Sequence, residues 1–133
     1  MDSKTRFEEI IRITRNDKQA DGLIAEVAGY ASAYVTAVVT MEATLMAKRA
    51  MVSATDLKDL SERLDRKRTL AHNTLIDSIK ICNRYLFKKY GKDIPVGGIY
   101  SGDPFDIGEP VRRVLIGNWA GEMAYAFFTS RRL

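Results

Sequence analysis

The chain has little of what most catalytic and disulfide-stabilised sites are built from. Among its 133 residues there is one cysteine, Cys82, and one histidine, His72. A single cysteine cannot form a disulfide within the chain, and a single imidazole cannot supply the repeated histidine ligands that metal sites in helical bundles use. We therefore expect no internal disulfide, no metal site and no cofactor.

The chain also lacks an apolar run long enough to cross a bilayer. Its most apolar stretch, residues 27–41, carries no charge but is rich in Ala, Ser, Thr and Gly, and a spanning helix needs about 20 mostly apolar residues. Residues 1–21 are charged throughout, unlike a signal peptide. These features predict a cytoplasmic protein that makes no contact with membranes.

Positive charge is in only small excess, because 21 Lys and Arg are nearly matched by 17 Asp and Glu. The basic residues nevertheless cluster, at residues 63–68, at residues 80–92 and near the C-terminus. Such a surface can contact phosphates, so nucleic-acid binding stays open. A solvated helix surface is the simpler interpretation.

What the sequence does have is helical periodicity over the length of one globular domain, residues 1–133. It predicts an all-α antiparallel helical bundle. A short helix spans residues 3–14, two long helices span about 19–51 and 53–90, and a C-terminal helix spans about 110–130. A Gly/Pro-rich loop, residues 92–109, precedes the last helix. Its apolar content predicts that it folds back onto the bundle.

The second helix is predicted to be central and buried. Tyr34, Val38 and Leu45 follow one helical face, and Tyr30 and Val39 are among the residues that widen it, as expected for a helix with neighbours on two sides. Gly29 interrupts this helix at a cost of about 1 kcal/mol relative to alanine. We attribute that glycine to close packing of a neighbouring helix.

Several polar residues occupy positions where the helical pattern predicts apolar ones, and such positions are candidates for function. They lie on the three longer helices, and a bundle that brings them together would contain a buried polar network. The residues are Glu42, Arg68, His72, Asn83, Asn118 and Glu122.

The segment Arg66-Lys67-Arg68-Thr69-Leu70-Ala71-His72-Asn73 resembles the signature of the HEPN superfamily, whose members are compact helical bundles that often dimerise and cleave RNA. The resemblance implies a metal-independent ribonuclease in which His72 transfers a proton and Arg66 holds a phosphate, with Arg68 or Asn73 in support. On a straight helix, however, Arg66 and His72 point about 120° apart, whereas Arg68 and His72 are about 40° apart.

A longer resemblance runs from about residue 66 to the C-terminus. This part of the chain is similar to a family of small helical proteins of unknown function from bacteria, mostly Firmicutes. That family implies a helical fold and assigns no activity. The pattern is Arg68-x-x-Ala71-His72-Asn73-x-Leu75-Ile76, then Asn83-Arg84-Tyr85, Gly-Ile-Tyr-x-Gly-Asp at residues 98–103, and Arg112.

An anion- or nucleotide-binding pocket is a further hypothesis. It requires basic and polar side chains to converge near the Gly-rich loop, where the first turn of the last helix offers free N–H groups. Alternatively, neighbouring acids in that loop neutralise Arg112. The residues concerned are Arg68, His72, Asn83, Arg84 and Arg112.

From these features we expect a non-enzymatic helical bundle that binds or regulates, through a protein partner or through a second copy of itself. The many small residues of the long helices favour a homodimer, and Trp119, Tyr125, Phe127 and Phe128 offer a contact surface. The metal-independent ribonuclease and the anion-binding bundle are the alternatives.

Overall fold

The structure, a computed structural model, describes the backbone of residues 3–95, 97–99 and 109–130, and the side chains of residues 5–95, 97–99 and 117–130. Within that part of the chain every regular element is helical, which confirms the all-α prediction. The helices are α1 (Ser3–Ile13), α2 (Lys18–Lys48), α3 (Ala54–Tyr90) and α4 (Glu109–Ser130), with a short 3-10 turn at Gly91–Asp93.

Local capping groups set where the long helices begin and end. The Asp17 side chain caps α2 by accepting a hydrogen bond from the Ala20 N–H at 3.1 Å. Ser53 caps α3 in the same way, with Asp56 N as the donor, as its sequence spacing predicts. Gly91 follows α3 with a φ of 54°, which confirms the predicted left-handed C-terminal glycine.

Helix α2 lies at the centre of the packing. It forms an antiparallel hairpin with α3 through the turn at residues 49–53, and it also packs against α4, which in turn contacts α1. Helix α4 approaches α2 at Gly121, where a Cβ would lie 3.8 Å from Val35 Cγ2.

The fully buried side chains lie at one end of this hairpin. They come from α1, the first half of α2, the second half of α3 and the C-terminal half of α4. None of residues 35–67, which form the other end of the hairpin, is buried. The predicted stripe of α3 is confirmed, with Leu75, Ile79 and Leu86 in the core. The largest fully buried side chains include Phe7, Ile10, Ile24, Tyr34, Leu75 and Leu86.

The prediction that α2 is a buried helix is wrong for half of its circumference. Tyr30 and Val39 are 40% and 58% exposed, although both are predicted to extend the buried face. Gly29 is exposed as well, and a Cβ placed on it meets no described atom within 4 Å. Close packing by the described residues therefore does not explain this glycine. The physical reason is that α3 and α4 cover adjacent sides of α2 and leave the opposite side open.

The loop after α3 folds back where it is described. Ile94 and Ile99 are 4% and 1% exposed and belong to the core, as the apolar content of the loop predicts. Val96, Tyr100, Phe105 and Ile107 lie outside the described residues.

Candidate functional site

The residues of the predicted ribonuclease motif point to different surroundings. Arg66 lies on the exposed side of α3 with Asp59, Glu62 and Arg63. The His72 ring, half-buried, packs edge-on against Tyr34 at 5.7 Å between centroids. The α3 helix thus separates the phosphate-holding arginine of the HEPN-like motif from its imidazole, as the helical angles predict.

The neighbours of His72 in the sequence make local contacts. Its Nδ1 lies 3.3 Å from Oδ1 of Asn73, which is exposed. Arg68, one turn earlier, is buried, with 5% of its surface exposed. Its Nε donates to Asp65 Oδ1 at 3.0 Å and its Nη2 donates to Thr69 Oγ1 at 3.2 Å.

Asn83 has a role in holding the loop after α3. Its Oδ1 accepts a hydrogen bond from the Ile99 N–H at 2.8 Å. Gly98, with a φ of 61°, passes so close that a Cβ there would lie 2.4 Å from Asn83 Oδ1. Any larger residue at position 98 would therefore clash with the amide.

The predicted convergence of basic residues is not formed by the described part of the chain. Arg68 and Asn83 are about 22 Å apart along α3 at 1.5 Å per residue. Arg84 is exposed, and the side chain of Arg112 lies outside the described residues. Arg68 and Asn83 thus belong to two separate places on the molecule.

Three of the predicted polar residues do meet. Glu42 from α2, Arg68 from α3 and Asn118 from α4 line one groove of about 360 Å³ whose other walls are largely apolar side chains of α2. The buried network predicted to link Glu42, His72, Asn83 and Glu122 is not present as such, because Glu42 and Glu122 are both exposed. Their carboxylates stay hydrated, which costs less than burial.

A second polar cluster, centred on Asp17, is absent from the sequence-based predictions. The Asp17 carboxylate accepts hydrogen bonds from the Tyr85 and Tyr90 hydroxyls, the latter at 2.7 Å, and pairs with Lys89 Nζ at 2.7 Å. Its side chain is 7% exposed. Because Asp17 also caps α2, this cluster ties the start of α2 to the end of α3.

The electrostatics of this cluster favour the ionised acid. Burial alone raises the pKa of Asp17, but the hydrogen bonds from Lys89, Tyr90, Ala20 and Tyr85 outweigh burial and hold that pKa well below its usual range. The hydrogen bond to Asp17 raises the pKa of Lys89. Burial and then the bond to Asp17 raise the pKa of Tyr90. Asp17 and Lys89 therefore form an ion pair in which both groups are charged at neutral pH.

The single cysteine is a core residue. Cys82 is fully buried, and burial, followed by the charge of Glu26, raises the pKa of its thiol to about 12. A thiol with such a pKa is a poor nucleophile at neutral pH. In the described ranges, no group of three or more His, Cys, Asp or Glu side chains is placed to hold a metal ion.

The exposed side of α2 carries a continuous row of uncharged residues, with exposed Glu42 at its edge. We call it the α2 face, and its residues are all exposed and free of charge over five turns. By length and composition alone, α2 also passes for a membrane-spanning helix, which is weak evidence because the central helix of a soluble bundle passes the same test. The α2 face comprises Gly29, Tyr30, Ser32, Ala33, Thr36, Val39, Thr40, Ala43, Met46 and Ala47.

Comparison with known families places the chain without giving it an activity. The model of the family described as "Protein of unknown function (DUF3232)" matches residues 2–133, and the chain belongs to that family. No curated protein matches the chain.

Proposed function

We propose that this protein is a non-enzymatic interaction module that associates with a second copy of itself through the α2 face. The observation that carries the proposal is the exposure of an uncharged half-helix at the centre of the fold. Val39 and Met46 on this face are 58% and 78% exposed. A surface that remains in water usually carries charged side chains, and contiguous apolar surface is typical of protein contacts.

The spacing of small residues on the α2 face suits a helix partner. Gly29, Ala33, Thr36, Thr40 and Ala43 are separated by alternating steps of four and three residues, the spacing of a helix–helix seam. Short side chains on such a seam let two helix axes approach to about 8 Å. An intermolecular contact would also explain why glycine is present at position 29.

Charge at the two ends of the face favours a second copy in antiparallel orientation. Glu26 is exposed before the face begins, and Lys48 and Arg49 are exposed where it ends. A two-fold axis near residue 37 would set Glu26 of one subunit opposite Lys48 of the other, twice by symmetry. The face is about 27 Å long from Gly29 to Ala47 at 1.5 Å per residue. A strip of this length and about 10 Å wide covers roughly 270 Å², so residues that flank the face must add to the contact for it to reach the roughly 800 Å² per partner of a stable interface.

The test is an arginine placed on the face, Ala33→Arg, compared with Leu70→Arg on α3. Both positions are exposed in the single chain, so neither variant disturbs the core. We expect the wild type and Leu70→Arg to be dimers by light scattering coupled to size exclusion. We expect Ala33→Arg to be a monomer, with a Kd raised at least a hundredfold, because the dimer would bury its charge without a partner.

Unchanged circular dichroism in Ala33→Arg would show that the fold is intact. A monomeric wild type at every concentration up to about 0.5 mM would overturn the proposal. Flotation of the wild type with lipid vesicles, abolished by Ala33→Arg, would assign the face to a membrane and would equally overturn the dimer.

A further inference from the structure

The groove between α2 and α4 contains a buried charge, and this is the feature that goes beyond self-association. Arg68 reaches it from α3, Asn118 lies on its α4 side and Glu42 lies on its α2 side. The remaining α2 wall includes Val35, Val38 and Leu45. Its volume of about 360 Å³ falls at the lower end of the range for small-molecule sites.

Arg68 is a charged residue that the packing buries, at 5% exposure. A guanidinium has five N–H donors, and burial is costly when donors lack acceptors. Asp65 takes the Nε donor and Thr69 takes one Nη2 donor. The Nη1 group makes no hydrogen bond to any residue that the structure describes, and Arg68 lines the groove.

We propose that this groove binds a small organic carboxylate with an apolar body. A carboxylate offers two acceptor oxygens in the plane that matches the guanidinium fork, so it can use the Arg68 donors for which the described residues supply no acceptor. The apolar body would then replace water along the valine and leucine wall of α2. Asn118, which also lines the groove, adds an amide that can donate or accept a hydrogen bond.

Glu42 determines which anions fit. Its negative charge shares the groove with Arg68, and Asp65 already pairs with the same guanidinium at 3.0 Å. The three groups together carry a net negative charge, so a second negative charge on a ligand is disfavoured. A monocarboxylate with a large apolar part is favoured over inorganic phosphate, because its hydrogen bonds to the guanidinium and its apolar contact must outweigh the repulsion from Glu42 and Asp65.

The experiment measures binding of octanoate, 1-octanol and inorganic phosphate to the full chain by calorimetry and by thermal shift. We expect octanoate to bind with a Kd in the millimolar range or below and to raise the melting temperature. We expect octanol to bind at least tenfold more weakly, and phosphate to give no shift. Equal binding of octanol and octanoate, or no binding of octanoate at 10 mM, would overturn the proposal.

Two variants locate the site. Arg68→Met keeps the apolar stem but removes the charge, and we expect it to lower octanoate affinity to that of octanol. Because this buried residue also contributes to folding, Gly117→Leu serves as the second variant. A Cβ on Gly117 meets no described atom within 4 Å, so leucine there fills the groove and is expected to weaken octanoate binding at least tenfold.

The matched control for Gly117→Leu is Gly22→Leu. Gly22 is also an exposed-side helix glycine with no described atom within 4 Å of its Cβ, and it lies outside the groove. Octanoate binding that survives Gly117→Leu, or that Gly22→Leu abolishes equally, would overturn the assignment to this groove. Val39 belongs to both the groove and the α2 face, so octanoate binding is also measured on Ala33→Arg. Binding that persists in this variant shows that the groove does not require self-association, so the two proposals can fail separately.

Discussion

The two long helices, α2 and α3, each turn one side to solvent, and those sides are made of different residues. The outer side of α3 carries a charge at almost every turn, including Arg63, Lys67, Asp77 and Arg84, all exposed. Leu70 and Ile81 are exposed there as isolated apolar side chains. The residues of the α2 face carry no charge from Gly29 to Ala47, and the one charged residue of α2 within that span, Glu42, lies beside the groove. The two surfaces have the same helical geometry, so the difference lies in what each is suited to contact.

This contrast is what we expect if the α3 side stays in water and the α2 face contacts a partner, as proposed above. Charged side chains stay hydrated and oppose association, whereas small uncharged residues lose little conformational entropy when a helix packs on them. Burying the outward side of a helix against a partner also costs less desolvation free energy when that side carries no charge. The contrast is sharpened or broken by three changes, given from the largest expected effect to the smallest.

We expect the fold to be held by contacts between the helices and not by their outer sides. Asp17, which joins the start of α2 to the end of α3, tests this expectation first. We expect Asp17→Ala to lower the free energy of unfolding by about 3 kcal/mol, since it removes a helix cap and leaves buried hydroxyls without their acceptor. Urea unfolding measures this change. Asp77→Ala on the α3 outer side is the matched control and should cost less than about 0.5 kcal/mol. An equal loss of unfolding free energy in the two variants would contradict the stabilising role assigned to the Asp17 cluster.

The same cluster gives a pH dependence. The pKa of Asp17 is lowered in the folded state, so its contribution is fully present above the unfolded pKa of about 4 and is lost as the pH falls below that value. Wild-type stability should therefore fall on acidification from about pH 4 downward more steeply than that of Asp17→Ala. Parallel pH profiles for the two proteins would show that the carboxylate is not preferentially ionised in the folded state.

Gly29 tests whether the α2 face has a role apart from folding. Gly29→Ala should stabilise the fold by about 1 kcal/mol, because alanine is the better helix former and nothing in the described chain crowds the position. Gly29→Leu should keep the helical gain but hold a second helix away, which we expect to raise the dimer Kd about tenfold. Unfolding and light scattering, measured on both variants, separate the two effects. A loss of stability in Gly29→Ala would show an intramolecular role instead.

The charges at the ends of the α2 face give the smallest effect. Glu26→Lys places a lysine opposite Lys48 of the partner subunit and should raise the dimer Kd a few-fold, since an exposed ion pair contributes about 0.2–1 kcal/mol. Lys48→Glu alone should weaken the dimer similarly. The double exchange, Glu26→Lys with Lys48→Glu, should restore the wild-type Kd. A double variant as weak as the two single effects combined would exclude the antiparallel arrangement.

Much of the fold follows from short-range signals. Ser53 and Gly91 bound α3 because an N-terminal cap and a left-handed glycine act on the nearest turn. The inner stripe of α3, such as Leu75 and Leu86, is legible because large apolar residues repeat at the helical period. These interactions span at most a few residues, so a single sequence contains the information.

The sites were harder to predict for a physical reason. Asp17 meets Tyr85 and Tyr90 across 68 and 73 residues, and no local pattern encodes that meeting. His72 drew attention through its rarity, whereas Arg68 four residues earlier is the side chain that the packing buries. The order of charged residues along the chain did not distinguish the buried Arg68 from the exposed Arg66 and Lys67 beside it.

The sequence by itself determined the helices, their approximate bounds and the absence of charge along the middle of α2, because each of these depends on residues close together in the chain. Only the tertiary structure decided which half of α2 is covered. Gly, Ala, Ser and Thr pack or stay exposed at similar cost, so their pattern is compatible with either outcome. The positions of α3 and α4 cover Tyr34 and leave Gly29 open, and that packing turns an uncharged helix into an available face.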